Sequence, residues 1–152
     1  MLQQALIDAL NSPGVVVHVI PGPPGGAKVV TTLLSVASIA ASTMSPASSA
    51  IDLHAGAATL AITITAVYDA AATTGIKVHV VTSPDNVQYD NAPTVGSSFN
   101  GDWDSWIPNF LAGNKIQQTK NYDTAPAFIK VYIDNLDAVK PVTMVSVIAT
   151  VG

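Results

Sequence analysis

The sequence contains no arginine, no glutamate and no cysteine, and its charged residues are six lysines and ten aspartates. Without arginine, no planar guanidinium can bind a phosphate or carboxylate through two parallel hydrogen bonds. Without cysteine, thiol nucleophiles, thiolate metal sites and disulfides are excluded. The chain also lacks the G-x-S-x-G motif and the glycine-rich phosphate-binding motifs. We therefore expect a protein that is not an enzyme, with no catalytic residue, metal site or cofactor.

Charge of either sign is scarce. Charged residues make up 11% of the chain and the net charge is −4, whereas an average globular protein has about 25% charged residues. The lysines are scattered, so binding of nucleic acid through phosphate neutralisation is not expected. The N-terminus has no basic region and carries Asp8 within its apolar stretch, which argues against a signal peptide. No apolar run reaches the roughly 18 residues of a membrane-spanning helix, so no membrane association is expected.

A folded chain with so little charge tends to associate. We therefore expect either that other subunits cover much of the surface or that the surface is neutral and rich in Thr, Ser and Asn. At 152 residues, the chain is long enough for one domain with a sizeable core.

The first 26 residues read as an arm. Apolar residues at helical spacing predict a short amphipathic helix over residues 2–10. A β-branched run predicts a strand that includes Val15, Val16, Val17, Val19 and Ile20. Residues 21–26 (PGPPGG) follow as a stiff hinge. Because an exposed strand readily adds to the sheet edge of another chain, we expect this arm to reach a neighbouring copy.

Residues 27–152 are predicted to form an antiparallel β-sandwich of seven to nine strands, jelly-roll-like in topology. The clearest strand is residues 59–68, where apolar and polar residues alternate. Residues 76–80 alternate in the same way, and these two strands are expected to pair with each other. Strands are also predicted at residues 128–134 and 142–151. The expected core residues are Leu60, Ile62, Ile64, Val78, Val80, Ile129, Val131, Ile133, Val145 and Val147.

Residues 92–117 read as one long irregular region that contains both tryptophans. Trp103 and Trp106 could cap the end of the sandwich, anchor an interface or stack against a sugar. Asp102 and Asp104 flank Trp103, and Tyr89 lies between Asp85 and Asp90. Turn chemistry accounts for Asp85, and a catalytic carboxylate pair and a calcium site are alternatives for Asp102 and Asp104. The histidines at 18, 54 and 79 lack a metal-type spacing and are expected to be ordinary strand residues.

The run GIKVHVVTSPDNVQYDN at residues 75–91 combines a strand, a Ser-Pro-Asp-Asn turn and an aromatic exit. Together with FIKVYIDN at 128–135 and VTMVSVIATVG at 142–152, it resembles the small β-sandwich structural proteins of tailed bacteriophages over residues 50–152. This resemblance implies a non-enzymatic virion component, such as a capsid decoration, neck or tail protein, located in the virion and bound to copies of itself and to other virion proteins. The alternative is a carbohydrate-binding jelly-roll module that uses the aromatic loop at residues 99–110, so glycan is a second expected partner.

Overall fold

The computed structural model describes residues 28–53, 59–91, 94–96, 103–122 and 126–152. The predicted helix at 2–10, the strand at 15–20 and the hinge at 21–26 lie outside this part of the chain. Within it the fold is all-β, and it contains no helix that could span a membrane. The described strands are β1 (Val29–Ile39), β2 (Ile51–Asp52), β3 (Leu60–Tyr68), β4 (Ile76–Ser83), β5 (Asp104–Trp106), β6 (Lys115–Tyr122), β7 (Phe128–Asn135) and β8 (Val142–Val151).

These strands form two antiparallel sheets of four strands each. The first sheet has the order β1-β8-β3-β6, and the second has the order β2-β7-β4-β5. The expected pairing of β3 with β4 is wrong, because the chain crosses from the first sheet to the second between Tyr68 and Ile76. A hairpin and a crossover between sheets both need a short polar turn, so the sequence pattern did not distinguish them.

A single hydrophobic core joins the two sheets, as in a sandwich. In β3 every second residue is buried, from Leu60 to Tyr68, as the alternation predicts. The core comes from strands of both sheets, and all ten residues predicted for it are buried. The hydrophobic pattern therefore identified the inward face of β3, β4, β7 and β8 correctly.

Residues 43–50 (TMSPASSA) have the composition of a loop, and they contain no regular strand. Nevertheless they follow the edge of β7 closely. The backbone N–H groups of Ser45 and Ser48 donate to the carbonyl oxygens of Ile133 and Val131, at 2.8 and 2.9 Å. The two serine hydroxyls in turn accept from the N–H groups of the same two residues, at 3.0 and 2.9 Å. Each serine thus pairs with β7 as a strand residue would, except that its hydroxyl takes the place of the backbone carbonyl as the acceptor.

The Ser-Pro-Asp-Asn turn after β4 is organised by Asp85, as its sequence predicts. The Asp85 Oδ1 atom accepts hydrogen bonds from the N–H groups of Val87 and Gln88, at 2.9 and 3.0 Å. Asn86 adopts the left-handed conformation, with φ of 62°, which asparagine tolerates better than most residues. These hydrogen bonds to the carboxylate lower the pKa of Asp85.

Candidate functional site

Residues 103–109 close one open side of the two-sheet arrangement. β5 is the edge strand of the second sheet and β6 is the edge strand of the first. The Trp103 ring packs against the Tyr122 ring, with centroids 5.0 Å apart and planes tilted by 31°. Further along, the N–H of Asn109 donates to the Gln118 side-chain oxygen at 2.8 Å. The segment therefore joins the edges of the two sheets.

Asp104 forms the polar centre of this junction. Its Oδ2 atom accepts a hydrogen bond from the Lys120 ammonium at 2.6 Å and another from the Tyr122 hydroxyl at 2.7 Å. The Lys120 ammonium also lies 5.5 Å from the centre of the Tyr122 ring. We call Trp103, Asp104, Lys120 and Tyr122 the edge clamp. It links β5 to β6 through one ion pair, one charge-assisted hydrogen bond and one ring contact.

The edge clamp perturbs the ionisation of its tyrosine. Burial raises the pKa of the Tyr122 phenol, and the hydrogen bond and negative charge of Asp104 raise it further. The nearby Trp106 indole acts on this pKa in the opposite direction, although its buried Nε1 makes no hydrogen bond of normal geometry. Tyr122 therefore remains a neutral hydrogen-bond donor to Asp104 under alkaline conditions that ionise a free tyrosine.

The structure brings two of the predicted site residues, Trp103 and Asp104, together and places Trp106 and Tyr89 elsewhere. Trp103 and Asp104 belong to the edge clamp, and Trp106 packs against the hydrophobic core. Asp102 and the predicted arm strand at Val15, Val16, Val17, Val19 and Ile20 lie outside the described residues. The described loop residues fit the capping role that the sequence offered beside interface and ligand roles, with Trp103 remaining 39% exposed.

Tyr89 contacts a different neighbour. Its ring lies 4.1 Å below the Lys130 ammonium on β7, and its hydroxyl is 2.6 Å from Asn86 Oδ1. Partial burial raises the pKa of Tyr89, and the charge of Asp85 adds to this shift. Tyr89 thus stabilises the turn after β4 and takes no part in the edge clamp.

Sequence reasoning missed the polar centre at the other end of the sheets. Asp137 is only 2% exposed. Its Oδ2 atom accepts from the Thr73 N–H at 2.6 Å, the Thr73 hydroxyl at 3.1 Å and the Thr74 N–H at 3.1 Å. Its Oδ1 atom accepts from the N–H groups of Val139 and Lys140, at 2.9 and 2.7 Å. These hydrogen bonds outweigh burial and hold the pKa of Asp137 well below its usual range.

Asn135 completes this arrangement, which we call the loop lock and define as Asn135 and Asp137. The Asn135 Nδ2 group donates to the carbonyl oxygens of Ile39, Ala40 and Lys140, at 3.2, 3.0 and 2.9 Å. Its Oδ1 atom accepts from the Asp137 N–H at 3.2 Å. Three loops are joined in this way: those after β1, β3 and β7. The sequence indicated a turn here, because Asn and Asp are turn residues, but it contained no sign of the donors that converge from distant loops.

These contacts are structural in character. The Asp104 and Asp137 carboxylates both accept hydrogen bonds from neighbouring protein groups. In the described part of the chain, no three His or Asp side chains come together as a metal-binding group. His79 is fully buried on β4, and the histidines at 18 and 54 lie outside the described residues.

Comparison with known proteins gives no family assignment. No protein-family model matches the chain, and no curated protein matches it. Among solved structures, one matching chain comes from Bacillus endospore appendages, which are described as a novel family of disulfide-linked pili. It is 15% identical, and the match covers 87% of this chain and 96% of that one with a TM-score of 0.34. At this TM-score the similarity carries no argument about fold or function.

Proposed function

We propose that this protein is a non-enzymatic structural subunit that assembles with copies of itself, as a component of a phage virion. The observation that carries the proposal is the edge of the first sheet, where β1 is long, uncharged and exposed at its start. The strand connectivity and the low charge of the whole chain support it.

The connectivity supports a jelly-roll assignment. β1 pairs with β8, β2 with β7, β3 with β6 and β4 with β5, all antiparallel. This is the pairing of one long hairpin whose turn lies between β4 and β5. Rolling that hairpin up adds the pairs β3–β8 and β4–β7. Jelly rolls are common among viral capsid domains and also among lectins, so this topology agrees with both functions under consideration.

The two long edges of the first sheet differ in their protection. β6 carries Lys115 and Lys120, and lysine on an edge strand discourages pairing with another chain. β1 has eleven residues with no charge and no proline, and its first four residues are exposed. Val29 and Val30 are 58% and 66% exposed. Among the described residues, the bulge between Thr32 and Leu34 and the hydrogen bond from the Ser49 N–H to the Leu33 carbonyl oxygen at 3.0 Å protect the middle of β1. The Asn135 side chain covers the Ile39 carbonyl oxygen at its end.

The arm is predicted to supply a matching strand. Residues 15–20 are a mostly apolar, β-branched run that precedes the predicted hinge at 21–26. Addition of such a strand to an exposed edge uses backbone hydrogen bonds that need no particular side chains. The surface of the chain has few charges, and assembly of this kind would bury apolar parts of that surface.

Deletion of residues 1–26 tests the proposal. The full chain is expected to form particles of many subunits, and the truncated chain is expected to remain small when both are measured by sedimentation velocity. A matched control is full-length Val87→Asp, which places a charge on an exposed residue of the turn after β4 and should assemble normally. Equal assembly of the truncated and full chains would contradict the role of the arm. Mass spectrometry of purified phage particles tests the virion assignment.

Carbohydrate binding is the second candidate function, and the exposed part of Trp103 favours it. A shallow pocket close to the edge clamp is lined by Lys28, Thr59, Asn121, Tyr122 and Gly152, among others. A glycan-array signal that Trp103→Ala abolishes and Val87→Ala preserves would support this alternative. Absence of any signal with the full chain would argue against it.

A further inference from the structure

One end of the two-sheet arrangement presents exposed apolar side chains on three loops. Tyr68 pairs with Val142, Val67 with Lys115 and Ile76 with Asn135. The loops at 69–75, 107–114 and 136–141 therefore lie at the same end. Four large apolar residues of these loops are exposed, namely Ile107 (60%), Phe110 (37%), Leu111 (59%) and Val139 (75%). We call this surface the apolar end.

The apolar end carries few charges. The charged residues of its three loops are Asp69, Asp137 and Lys140, and the exposed Lys115 adjoins them at the start of β6. Asp137 is buried in the loop lock, and the Lys140 ammonium lies 3.7 Å from Asp69 Oδ1. A surface with few charges and several large apolar side chains fits an apolar partner better than a charged one.

The central loop of this surface is held in a fixed shape. The Phe110 ring packs edge-on against the Tyr68 ring, with centroids 5.0 Å apart. The Gly113 N–H donates to the Asp69 carbonyl oxygen at 3.1 Å, and the Asn114 N–H donates to the Leu111 carbonyl oxygen at 3.2 Å. Because the loop is already ordered, Ile107 and Leu111 can be covered at a small entropic cost.

The described part of the chain begins at the opposite end. β1 begins at Val29, which pairs with Val151 near the end of the chain. Lys28, the first described residue, therefore lies at the far end from Ile107 and Leu111. Residues 2–10 are predicted to form a helix whose apolar face includes Leu2, Leu6 and Leu10. A head-to-tail neighbour would bring this helix to the apolar end of the next copy.

We propose that the apolar end binds the amphipathic segment at residues 2–10 of a second copy, an inference that rests on the proposed self-assembly. An amphipathic helix laid on an apolar surface is a common mode of recognition. β1 also ends at the apolar end, at Ile39. An arm strand added antiparallel to β1 would have residue 15 at the Ile39 end, and this would bring the preceding residues 2–10 to this surface. The contact joins different surfaces of two copies, so it repeats into a filament or a ring.

The absence of cysteine makes disulfide cross-linking a direct test. Full-length Leu6→Cys and Leu111→Cys are prepared separately, mixed under assembling conditions and oxidised. We expect a covalent dimer that contains one chain of each variant, identified by mass spectrometry of the linked peptides. Leu6→Cys mixed with Val87→Cys serves as the control, and it should give at least tenfold less cross-linked product.

Each outcome separates the two proposals. Loss of assembly on deletion of residues 1–26, without any cross-link between positions 6 and 111, would overturn this contact and leave self-assembly standing. A chain that carries both Leu6→Cys and Leu111→Cys and forms the cross-link only within single chains would show that the arm folds onto its own domain. Efficient dimerisation of Leu111→Cys alone would show that two apolar ends pair with each other. Normal assembly of the truncated chain would overturn this contact and the role of the arm, and would leave self-assembly through other surfaces standing.

Discussion

At the scale of single residues, Asp137 is the polar group on which the structure depends most. It is a buried carboxylate that receives five hydrogen bonds from two separate loops. We expect Asp137→Asn to lower the stability at pH 7, because an amide nitrogen cannot accept hydrogen bonds and buried donors are left unpaired. Urea denaturation followed by tryptophan fluorescence measures the loss. Asp85→Asn, which removes an exposed turn carboxylate, should cost less because water can replace the lost acceptor.

The same residue predicts a pH dependence. Because the pKa of Asp137 is lowered in the folded protein, its contribution to stability is complete above the pKa of an unfolded aspartate and declines as the pH falls below it. We expect the denaturation midpoint of the wild-type chain to fall between about pH 5 and pH 2. Asp137→Asn should show a shallower decline over that range. Parallel pH profiles for the two chains would contradict the assigned role of Asp137.

Tyr122 predicts the opposite dependence at high pH. Its pKa is raised in the folded protein, so its contribution is complete below the pKa of an unfolded tyrosine, about 10, and is lost as the pH rises above that value. We expect Tyr122→Phe to cost about 1 kcal/mol at pH 7, the net value of a typical hydrogen bond. The variant should also lose less stability than the wild type between about pH 10 and pH 12. Tyr89→Phe, whose hydroxyl contacts the exposed Asn86, is the matched control.

The sequence predicted apolar residues better than polar ones. Ile62 and Val131 were assigned to the core from alternation alone, since a period of two determines which face of a strand is buried. Asp137 was recognised only as a turn residue, because its partners at Thr73 and Thr74 are more than 60 positions away. Trp103 and Asp104 were singled out by residue type, whereas their partners Lys120 and Tyr122 lie on a strand that the sequence did not predict.

At the scale of elements, the alternating strands form the stable part of the fold. Ile64 is fully buried in the middle of β3, between β8 and β6. We expect Ile64→Ala to cost about 2–5 kcal/mol, from lost apolar burial and the cavity left behind. Val87→Ala, at a position that is 79% exposed, should change the stability by less than about 0.5 kcal/mol. Equal midpoints for these two variants in urea denaturation would contradict the assignment of the core.

β6 shows where the hydrophobic pattern fails. Its sequence, KIQQTKNY, is polar, and only Ile116 is buried. The strand forms because β3 supplies a continuous backbone ladder from Leu60 to Val67, and because Lys120 and Tyr122 are partnered by Asp104. Both causes are tertiary, so the expectation of one irregular region over residues 92–117 missed β5 and the start of β6.

At the scale of the whole molecule, the low charge, the uncharged edge of β1 and the apolar end lead to the same proposal. In an isolated chain, the edge of β1 and the apolar end are in contact with water, and few charges keep such a surface soluble. Neighbouring copies would cover both. The sequence alone predicted an all-β fold and two layers, since strand alternation and short turns determine these. It did not predict which strands are neighbours within each sheet, because that depends on contacts between distant residues.

Self-assembly of the full chain is the central claim, and sedimentation velocity over a range of protein concentrations tests it most directly. The account predicts a concentration-dependent species many times heavier than one chain, which negative-stain electron microscopy should show as regular rings or filaments. A single species with the mass of one chain at all concentrations, with the far-ultraviolet circular dichroism of a folded β protein, would contradict it.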